Sequence, residues 1–417
     1  MKFRSERDSL ADVLATAGRA VVGRGSPSAV LSGLSLRAQG NHLEVTGTDL
    51  DLTIRVLHEI IGIADGTCIL PARLTADVVR SLEPGAVTVE AGEDRVEISS
   101  ARARFALRTF PVPEWPALPP PEPAKASLPR AAFTEALRQV VRAASNDETR
   151  PLLTGVLLTS EGDAVRLVAT DSYRLALRDL EGFGVGGGAE ALVGSEVLVP
   201  ARALAEVQRL SGSAWGDAAR AATSAPGGGA GDVEPGDPGT TTSGDGHGGA
   251  NGHGSGTGRT SDEIGVVAGS TEITFVCGPV RISTRLLEGT YPDYRQLLPT
   301  HYPNRLHVGR ESLLAALRRV RLLVRDNTTP VRLCMRASGV DLTVVSQEVG
   351  DASESVDGDF SGEDLVMAFN PNYLIDGVEA VLDDEVFIES DTPAKPATVR
   401  AAGRDDFRYL LMPVRVP

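Results

Sequence analysis

Two acidic phrases of similar sequence contain the residues that most resemble catalytic groups. Thr48-Asp49 and Thr170-Asp171 each follow a strand-like run of apolar residues, and Ser172 comes directly after the second aspartate. Paired carboxylates can act as general acid and base, and a serine can act as a nucleophile. A hydrolase or nuclease that uses Asp171 is therefore one hypothesis. The alternative is turn chemistry, in which short polar side chains accept hydrogen bonds from the nearby backbone.

The rest of the sequence favours the turn. It contains no GxSxG nucleophile elbow, no P-loop and no HExxH zinc motif, and no histidine lies in a repeated phrase. A carboxylate that recurs at the same place in two copies of a domain is more often structural than catalytic. We therefore predict that the chain has no catalytic site and binds no cofactor.

A glycine-rich segment raises the separate question of a metal site. His247 and His253 lie in it, and Gly227 to Asp232 resembles part of a calcium-binding glycine repeat. Neither feature recurs at a fixed period. Residues 211–261 contain almost nothing that a core could bury, so the segment cannot offset its ordering entropy. We predict a disordered insertion without a metal site, which replaces a surface turn within one domain.

The elements that would position these residues occur three times along the chain. Near Pro71, Pro200 and Pro371 a short apolar strand runs into a proline and then an amphipathic helix. The spacing of roughly 130 to 170 residues is too wide for a solenoid repeat and suits whole domains. Each copy also opens with a helix whose apolar residues recur at helical spacing. These stripes are Leu10, Leu14 and Ala17, then Phe133, Leu137 and Val140, then Leu313, Leu317, Val320 and Val324.

Strand-like segments follow each helix, so each copy is predicted to be an α+β domain with two helices packed on antiparallel sheets. The predicted boundaries are 1–122, 127–300 and 303–417, with the insertion inside the second domain. Three copies of one domain in a single chain indicate that the protein builds a shape, and its function depends on what that shape is for.

Composition limits the cellular setting. The 417 residues are 41% hydrophobic, and no apolar run reaches the length of a membrane helix. The N-terminus lacks the apolar stretch of a signal peptide. The three cysteines, Cys68, Cys277 and Cys334, are far apart and are each interpreted as a small core residue. We therefore expect a cytoplasmic protein without a membrane partner.

The net charge is −15, which by itself disfavours nucleic acid as a partner, but binding depends on where the charge lies. Arginines recur on the amphipathic helices of different copies, and no aromatic residues alternate with them. Solvated helix faces would explain each helix alone. If the copies turn these helices in one direction, an acidic protein presents a basic surface suited to phosphates. The arginines are Arg73 and Arg80, Arg138 and Arg142, Arg202 and Arg209, and Arg318, Arg319, Arg321 and Arg325.

Four phrases then carry a specific resemblance. They are Arg150-Pro151-Leu152-Leu153-Thr154-Gly155-Val156, Ala169-Thr170-Asp171-Ser172-Tyr173-Arg174-Leu175-Ala176, Glu288-Gly289-Thr290-Tyr291-Pro292-Asp293-Tyr294 and Tyr409-Leu410-Leu411-Met412-Pro413-Val414-Arg415. In this order and with the threefold repeat, the chain resembles the bacterial DNA polymerase III beta subunits, the sliding clamps. The resemblance covers the chain outside the glycine-rich insertion and is closest to actinobacterial members.

The resemblance implies three tandem DNA-clamp domains that close with a second chain into a ring of six domains. Such a homodimeric ring encircles double-stranded DNA without reading its sequence and tethers DNA polymerase to the template. The implied partners are the DNA polymerase III alpha subunit, the clamp loader, and other polymerases and repair proteins that bind through short linear peptides. The implied location is the cytoplasm, in association with the nucleoid.

The resemblance also assigns residues. The peptide-binding pocket would contain Leu153, Thr170, Ser172, Tyr173, Arg174, Leu175, Pro292, Gln296, Leu297, Asn370, Tyr373, Leu410, Leu411, Met412, Pro413, Val414 and Arg415. Core packing remains an alternative for Leu153, Leu175 and Leu410. DNA would contact Arg24, Arg73, Arg138, Arg142, Arg150 and Arg202. At the subunit interface, Phe105 and Leu107 of one chain would meet Leu322 and Leu323 of the other.

Two departures from the family pattern leave a second hypothesis open. Gln296 occupies a position at the pocket rim where the family often has a basic residue, so the preferred peptides would differ. An insertion of about fifty residues is unusual and raises the alternative of a specialised paralogue, which would serve repair or replace the main clamp when that clamp is inhibited.

Overall fold

A computed structural model describes residues 1–22, 28–182, 196–212, 262–299, 301–325 and 329–415. Almost all of the predicted insertion, with His247 and His253, lies outside these residues, and so does Arg24. None of the helices in the described ranges is long and apolar enough to cross a membrane.

The first copy has two helices and nine strands in its described residues. Its first helix begins where the Glu6 carboxylate accepts hydrogen bonds from the backbone N–H groups of Asp8 and Ser9, at 2.7 and 3.1 Å. This N-cap satisfies donors that the helix itself cannot. The elements are β1 (Lys2–Glu6), α1 (Arg7–Ala17), β2 (Gly33–Gln39), β3 (His42–Thr48), β4 (Leu52–Glu59), β5 (Ile61–Ala64), β6 (Gly66–Pro71), α2 (Ala72–Ser81), β7 (Ala86–Ala91), β8 (Arg95–Ser100) and β9 (Ala103–Arg108).

The second copy has the same order around its own helix pair, except that four described strands instead of five lie between the helices. The helices begin directly after Pro129 and Pro200, whose extended backbone ends the preceding strand. The elements are β10 (Ala126–Pro129), α3 (Arg130–Val140), β11 (Gly155–Glu161), β12 (Ala164–Thr170), β13 (Arg174–Glu181), β14 (Val197–Pro200), α4 (Ala201–Ser211), β15 (Glu263–Ala268), β16 (Glu272–Cys277) and β17 (Val280–Arg285).

The third copy follows the same order once more. Its elements are β18 (Asn304–Gly309), α5 (Arg310–Val320), β19 (Val331–Arg336), β20 (Gly339–Ser346), β21 (Gly350–Ser361), β22 (Leu365–Phe369), α6 (Pro371–Ala380), β23 (Glu385–Ser390), β24 (Ala397–Ala401) and β25 (Phe407–Leu411). The prediction of three tandem α+β copies is thus confirmed, whereas the exact boundaries between them stay a prediction.

The predicted equivalence of Pro71, Pro200 and Pro371 is wrong by one residue in the third copy. Pro71 and Pro200 are the residues before their helices, whereas Pro371 is the first residue inside its helix. Asn370 holds the capping position, and its side-chain oxygen accepts hydrogen bonds from Asn372 N and Tyr373 N at 2.9 and 3.3 Å. A proline fits both places because the first helical residue needs no N–H donor. The helix positions of the three copies therefore align on Pro71, Pro200 and Asn370.

Two of the three sheets run from one copy into the next. Strand β17 of the second copy pairs antiparallel with β4 of the first, and β25 of the third pairs antiparallel with β13 of the second. These pairings build an eight-stranded and a twelve-stranded sheet, while a five-stranded sheet ends at β9. Backbone hydrogen bonds thus join each domain to its neighbour, and each join is called a junction below.

The predicted helical stripes form the core of each copy. Leu10, Leu14, Phe133, Leu137, Leu313 and Leu317 are all buried. Of the cysteines, Cys68 is buried, and that burial raises the pKa of its thiol to about 12, which makes it unreactive. Cys277 is half-buried and packs against the same core, whereas Cys334 is half-buried and is not among the residues of that core. The interpretation as core residues is therefore confirmed for Cys68 and, at the edge of the core, for Cys277.

Candidate functional site

The Thr-Asp phrase of the second copy forms a tight turn at the second junction. One carboxylate oxygen of Asp171 accepts hydrogen bonds from Tyr173 N and Arg174 N at 2.9 and 3.0 Å. Ser172 between them has a φ of 79°. Thr170 Oγ1 donates to Arg174 O at 2.6 Å. The turn interpretation is therefore confirmed, and the Asp171 carboxylate serves the backbone.

The first copy builds the same turn with different exposed residues. Asp49 accepts hydrogen bonds from Asp51 N and Leu52 N at 3.1 and 2.7 Å, and Leu50 has a φ of 79°. The repeated aspartate is explained by this backbone geometry, which both copies share. The position after the strained residue differs, because the second copy places Tyr173 there with its ring exposed.

Strand pairing next to this turn makes an apolar floor. Leu175 lies opposite Leu410 where β13 pairs with β25, and both side chains are buried. They belong to a cluster that contains no α-helical residue, so it lies on the sheet face away from the α-helices. The backbone N–H of Met412 donates to Tyr173 O at 2.9 Å, which continues the pairing beyond the strand. Met412 and Tyr173 therefore stand side by side above the floor.

The segment after β17 forms the opposite wall. Tyr291 and Tyr294 are buried against the floor, and Pro292 and Leu297 are exposed above it. A short 3-10 turn, Tyr294–Leu297, is capped by Asp293, which accepts hydrogen bonds from Arg295 N and from Gln296 Nε2 at 3.2 and 2.8 Å. Exposed apolar side chains above a buried apolar floor form a groove that can receive an apolar peptide.

Arg174 connects the turn beside the groove to the third domain on the helix side of the junction. Its guanidinium donates to Asp171 at 3.0 Å within its own domain and to Asp376 at 2.5 Å in the third domain. The guanidinium carbon also lies 4.3 Å from the centre of the Tyr373 ring, at a cation–π distance. Burial opposes the charged form, but Tyr409 and these carboxylates outweigh it and raise the pKa of Arg174. The arginine is permanently charged and joins two domains.

Arg174 is the first member of a series of ion pairs that extends across the helix side of the junction. Asp376 accepts Arg174 on one oxygen and lies 3.7 Å from Arg142 through the other. Arg142 also pairs with Glu379 at 2.9 Å, and Glu379 pairs with Arg318 at 2.8 Å. Burial alone would raise the pKa of Glu379, but the hydrogen bonds from Arg318 and Arg142 lower it. The second junction is therefore charged on its helix side and apolar on its opposite face.

Several residues assigned to the pocket meet in this groove, but Leu411 and Arg174, which lie opposite each other in the pairing of β13 with β25, face the helix side of the sheet. Alternate residues of a strand face opposite sides, and Leu411 is buried in the main core, behind the sheet from Leu410. Asn370 uses its side chain to cap α6. Leu153 and Thr170 are buried, and Val414 is exposed where its N–H donates to Ala368 O at 2.7 Å. Leu175, Pro292, Leu297, Leu410 and Met412 line the groove, with Tyr173 and Gln296 beside them. Arg174 lies on the helix side with Tyr373 against its guanidinium. The assignment of Ser172, Pro413 and Arg415 to the pocket stays a prediction.

Three structural residues of the site were missed. Tyr291 and Tyr294 support the wall from beneath, and Asp376 links the two arginines. The tyrosines stand in a phrase that already pointed to Pro292, so their spacing was a usable signal. Asp376 had no such signal, because its partners Arg142 and Arg174 lie more than two hundred residues away in sequence.

The arginines assigned to DNA fall into two groups. Arg73 and Arg138 are exposed on their helices. Arg202 pairs with Asp49 across the first junction, Arg142 with Glu379 across the second, and Arg150 with Asp147 beside it. The paired side chains remain about half exposed, so they can still meet a phosphate at the cost of competing with a carboxylate.

The residues assigned to a subunit interface lie in the first and the third domain, Phe105 and Leu107 in the first and Leu322 and Leu323 in the third. Phe105 is exposed on β9, whereas Leu107 on the same strand is buried in its own domain. Leu322 is the most exposed large apolar side chain among the described residues, and Leu323 packs partly against the third domain. Of these four, Phe105 and Leu322 are the side chains that are free to contact another molecule.

Comparison with known proteins gives the same division into three. Successive family models of the DNA polymerase III beta subunit match the chain, the N-terminal domain at residues 1–119, the central domain at 127–219 and the C-terminal domain at 295–415. The chain is 33% identical to the beta sliding clamp of Streptomyces coelicolor over 422 residues and all of both chains. It is 32% identical to that of Micrococcus luteus over 357 residues, which cover 85% of this chain and 98% of the relative.

Solved structures show the same fold. A sliding clamp (DNA polymerase III subunit beta) from Bartonella birtlesii bound to griselimycin matches over all of both chains, with a TM-score of 0.82 and 25% identity. The beta sliding clamp of Caulobacter crescentus matches with a TM-score of 0.81 and 24% identity, over all of this chain and 99% of that one.

Proposed function

This chain belongs to the DNA polymerase III beta subunit family and is a DNA sliding clamp, and from that premise we propose that two copies close into a ring that encircles duplex DNA. The ring would tether a DNA polymerase to its template. The observation that supports this proposal is the repeated junction. The same kind of strand pairing joins the first domain to the second and the second to the third, and the equivalent strand edges at the two outer ends of the chain have no partner among the described residues.

The open edges follow from the repeat. Strand β9 is the first domain's counterpart of β17 and β25, which pair across the two internal junctions. The first half of β21 is the third domain's counterpart of β4 and β13, the strands with which β17 and β25 pair. In the described residues, β9 pairs only with β8, and Gly350 to Asp357 pair only with β20. Unpaired strand edges readily pair with another chain.

The two open edges also carry opposite charge. Strand β9 presents Arg104 and Arg108, and the first half of β21 presents Asp351 and Asp357. Arg104 also pairs with Glu97 on the neighbouring strand, and Glu354 of β21 is held by Arg319 of its own domain. Pairing them head to tail continues the register of the internal junctions and brings opposite charges together. Two such pairings between two copies close a ring of six domains.

Double-stranded DNA would pass through this ring beside the helices. The exposed arginines Arg73 and Arg138 lie on the helices, and the half-exposed Arg142, Arg150 and Arg202 lie at the junctions. Contacts of this kind reach phosphates and carry no sequence information, which suits a protein that must slide.

The groove at the second junction would bind short linear peptides of the DNA polymerase III alpha subunit, the clamp loader and other partners. Its floor of Leu175 and Leu410 is apolar, and Met412 beside it is flexible enough to fit different side chains. Asp293 at its wall and Asp171 at its turn already accept backbone hydrogen bonds.

The topological proposal is tested with the loaded protein. Purified clamp is loaded onto nicked circular DNA by its clamp loader and then filtered away from free protein. We expect retention on the circle and rapid escape after a restriction enzyme makes the circle linear. Equal retention on both forms would mean ordinary DNA binding and would overturn the ring.

The groove is tested by its affinity for the alpha subunit of the same organism. Met412→Glu places a charge above the floor, and we expect it to weaken binding about tenfold or more. Val112→Glu is the matched control, because Val112 is an exposed apolar residue in the corresponding segment of the first copy. Equal loss in both variants, or in neither, would contradict the assignment of the groove.

A further inference from the structure

The first junction has two arginines that face each other on neighbouring strands. Arg55 of β4 lies directly opposite Arg281 of β17, on the sheet face away from the helices. Like charges that lie opposite each other on a sheet are destabilising. The equivalent pair at the second junction is Leu177 with Arg408, so only one cation lies there. Of the two internal junctions, only the first therefore brings two positive charges together.

The linker between the first two domains contacts both arginines without neutralising them. Arg55 Nη2 donates to Pro119 O and Arg281 Nη1 donates to Glu122 O, both at 2.6 Å. A carbonyl oxygen carries no net charge, and among the residues that the structure describes no carboxylate forms an ion pair with either guanidinium. Each of these bonds uses one of the five N–H donors of a guanidinium, so both arginines can also bind an anion.

Burial makes it harder to hold the two charges side by side. Arg55 is half-buried, and this burial lowers the pKa of its guanidinium. The carboxylates of Glu44 and Glu272 oppose that shift, whereas the charge of Arg281 adds to it. The two nearby carboxylates therefore do not restore the ordinary pKa of Arg55, and a bound anion would favour its charged form.

A cavity of about 490 Å³ lies between the linker and the strands at this place. The charged residues that line it are mostly basic, namely Arg55, Arg281, Arg285 and Lys125 against Glu122 and Glu272. Lys125 and Arg285 each pair with a carboxylate, at 3.0 and 3.9 Å. Thr274 Oγ1 lies 2.7 Å from Ser283 Oγ, a hydrogen bond that uses only one of the two hydroxyl hydrogens. The other hydrogen can donate to an anion in the cavity.

The lining also indicates which anion fits. Guanidinium groups bind the oxygens of phosphate in pairs, with two parallel hydrogen bonds. None of the described lining residues is aromatic, so a nucleobase would have no ring to stack on. A water molecule occupies about 30 Å³ in the liquid, so the cavity has room for more than one phosphate group. A compact diphosphate therefore matches the cavity better than a nucleotide does.

We propose that this cavity binds inorganic pyrophosphate between Arg55 and Arg281, with Ser283 as a further hydrogen-bond donor. The bound anion neutralises the facing arginines and stabilises the linker across the first junction. The cavity is separate from the subunit contacts and from the peptide groove, so a failure to bind pyrophosphate would leave both of those proposals unchanged.

Isothermal titration of the full chain with sodium pyrophosphate, in chloride buffer at constant ionic strength and without divalent cations, tests the site. We expect one pyrophosphate per chain, and Arg281→Ala should raise the dissociation constant at least about tenfold, since one of two guanidinium contacts is lost. Arg332→Ala is the matched control, because Arg332 is an exposed arginine on β19 of the third domain, and it should leave the constant unchanged. Equal loss in both variants, or no binding by the wild-type chain at millimolar pyrophosphate, would overturn the site.

A second exchange separates anion binding from the folding of the junction. Ser283→Asp places a carboxylate beside the two arginines, so it should abolish pyrophosphate binding without lowering the melting temperature. Ser283→Asn is the uncharged control and should bind pyrophosphate within about threefold of the wild type. Pyrophosphate should raise the melting temperature of the wild type and of Ser283→Asn, but not that of Ser283→Asp. Undiminished binding by Ser283→Asp would overturn the placement, and orthophosphate that binds as tightly as pyrophosphate would overturn the choice of a diphosphate.

Discussion

The junction between the first and second domains and the junction between the second and third have the same backbone and opposite surface chemistry. In the first, Thr53 lies opposite Ser283 on the face away from the helices, and in the second Leu175 lies opposite Leu410 at the same positions. The next outward-facing pair is Arg55 with Arg281 in the first junction. One pairing rule thus yields a polar surface in one place and an apolar floor in the other.

The chain segments that cross these surfaces differ accordingly. At the first junction, Arg55 donates to Pro119 O and Arg281 to Glu122 O, both at 2.6 Å, so the proline-rich linker is fixed across the strands. At the second, Tyr291 and Tyr294 pack on the leucines and leave Leu297 exposed above them. Domain repetition supplies the geometry of a junction, and a few side chains decide whether it is sealed by its own chain or open to a partner.

The helix sides of the two junctions are more alike. Each has an arginine–carboxylate ion pair, Arg19 with Glu206 in the first and Arg142 with Asp376 in the second. Only the second adds a buried guanidinium, that of Arg174, which bridges Asp171 and Asp376. The first junction has Leu52 at the place of Arg174. A buried charge whose partners are removed is costly, whereas an exposed pair contributes little. The two junctions should therefore respond differently to the loss of one arginine.

The largest expected effect is that of Arg174→Ala. It leaves the carboxylate of Asp171, whose side chain is 9% exposed, without its guanidinium partner, and we expect the free energy of unfolding to fall by about 3 kcal/mol. Arg202→Ala is the matched variant at the first junction, where the arginine is half exposed, and it should cost about 0.5 kcal/mol. Urea unfolding followed by circular dichroism measures both. Equal losses would show that the two junctions are held in the same way.

The next effect tests the floor. Leu175→Thr with Leu410→Ser gives the second junction the side chains of the first, and the affinity for the alpha subunit should fall about thirtyfold to a hundredfold, because two apolar contacts are replaced by hydroxyl groups. Retention on nicked circular DNA should be unchanged, which separates the groove from the ring. An unchanged affinity would place the peptide elsewhere.

The sequence predicted the local turn of this site better than the long-range strand pairing and ion pairs that connect it to other domains. The repeated Thr-Asp phrase identified the turn, since an Asx turn depends on residues two and three positions apart. The pairing of β13 with β25 joins residues more than two hundred positions apart, and no local pattern encodes such a register.

Leu411 and Arg142 show what a sequence pattern could not predict. Leu410 and Leu411 were assigned together to the pocket, although strand alternation puts adjacent residues on opposite faces. Arg142 was read from its helix face alone, and the carboxylates of Asp376 and Glu379 that it contacts come from another domain. A sequence motif locates a segment of a site. The direction of each side chain can be assigned only once the secondary-structure element and the strand it pairs with are known.

A smaller effect concerns pH. Burial alone would raise the pKa of Glu206 and of Glu379, but hydrogen bonds from their arginines lower both below the ordinary value of 4.5. A lowered carboxyl pKa contributes stability that is complete above about pH 4.5 and is lost as the pH falls through the folded-state value. Glu206→Gln and Glu379→Gln should each cost about 1 kcal/mol at pH 7 and less at pH 3.5, by urea unfolding. A difference that grows towards low pH would contradict the sign.

The smallest expected effect comes from the reverse exchange at the first junction. Thr53→Leu with Ser283→Leu gives that junction the leucine pair of the second, yet we expect no second binding site for the alpha subunit. The linker stays fixed by Arg55 and Arg281, whose donors are satisfied by the carbonyls of Pro119 and Glu122 and do not depend on the exchanged side chains. Isothermal titration should still give one alpha subunit per chain at the wild-type affinity.

If the exchange instead creates a second site, the leucine pair alone makes the groove and the linker does not seal the first junction. Adding Arg55→Ala to the exchange distinguishes these cases, because it removes the hydrogen bond that ties Pro119 to the strand. A second site that appears only in this triple variant would show that both conditions are needed, an apolar floor and an open path to it. One binding site per chain then follows from two differences between the junctions, each of which is local to a pair of facing strands.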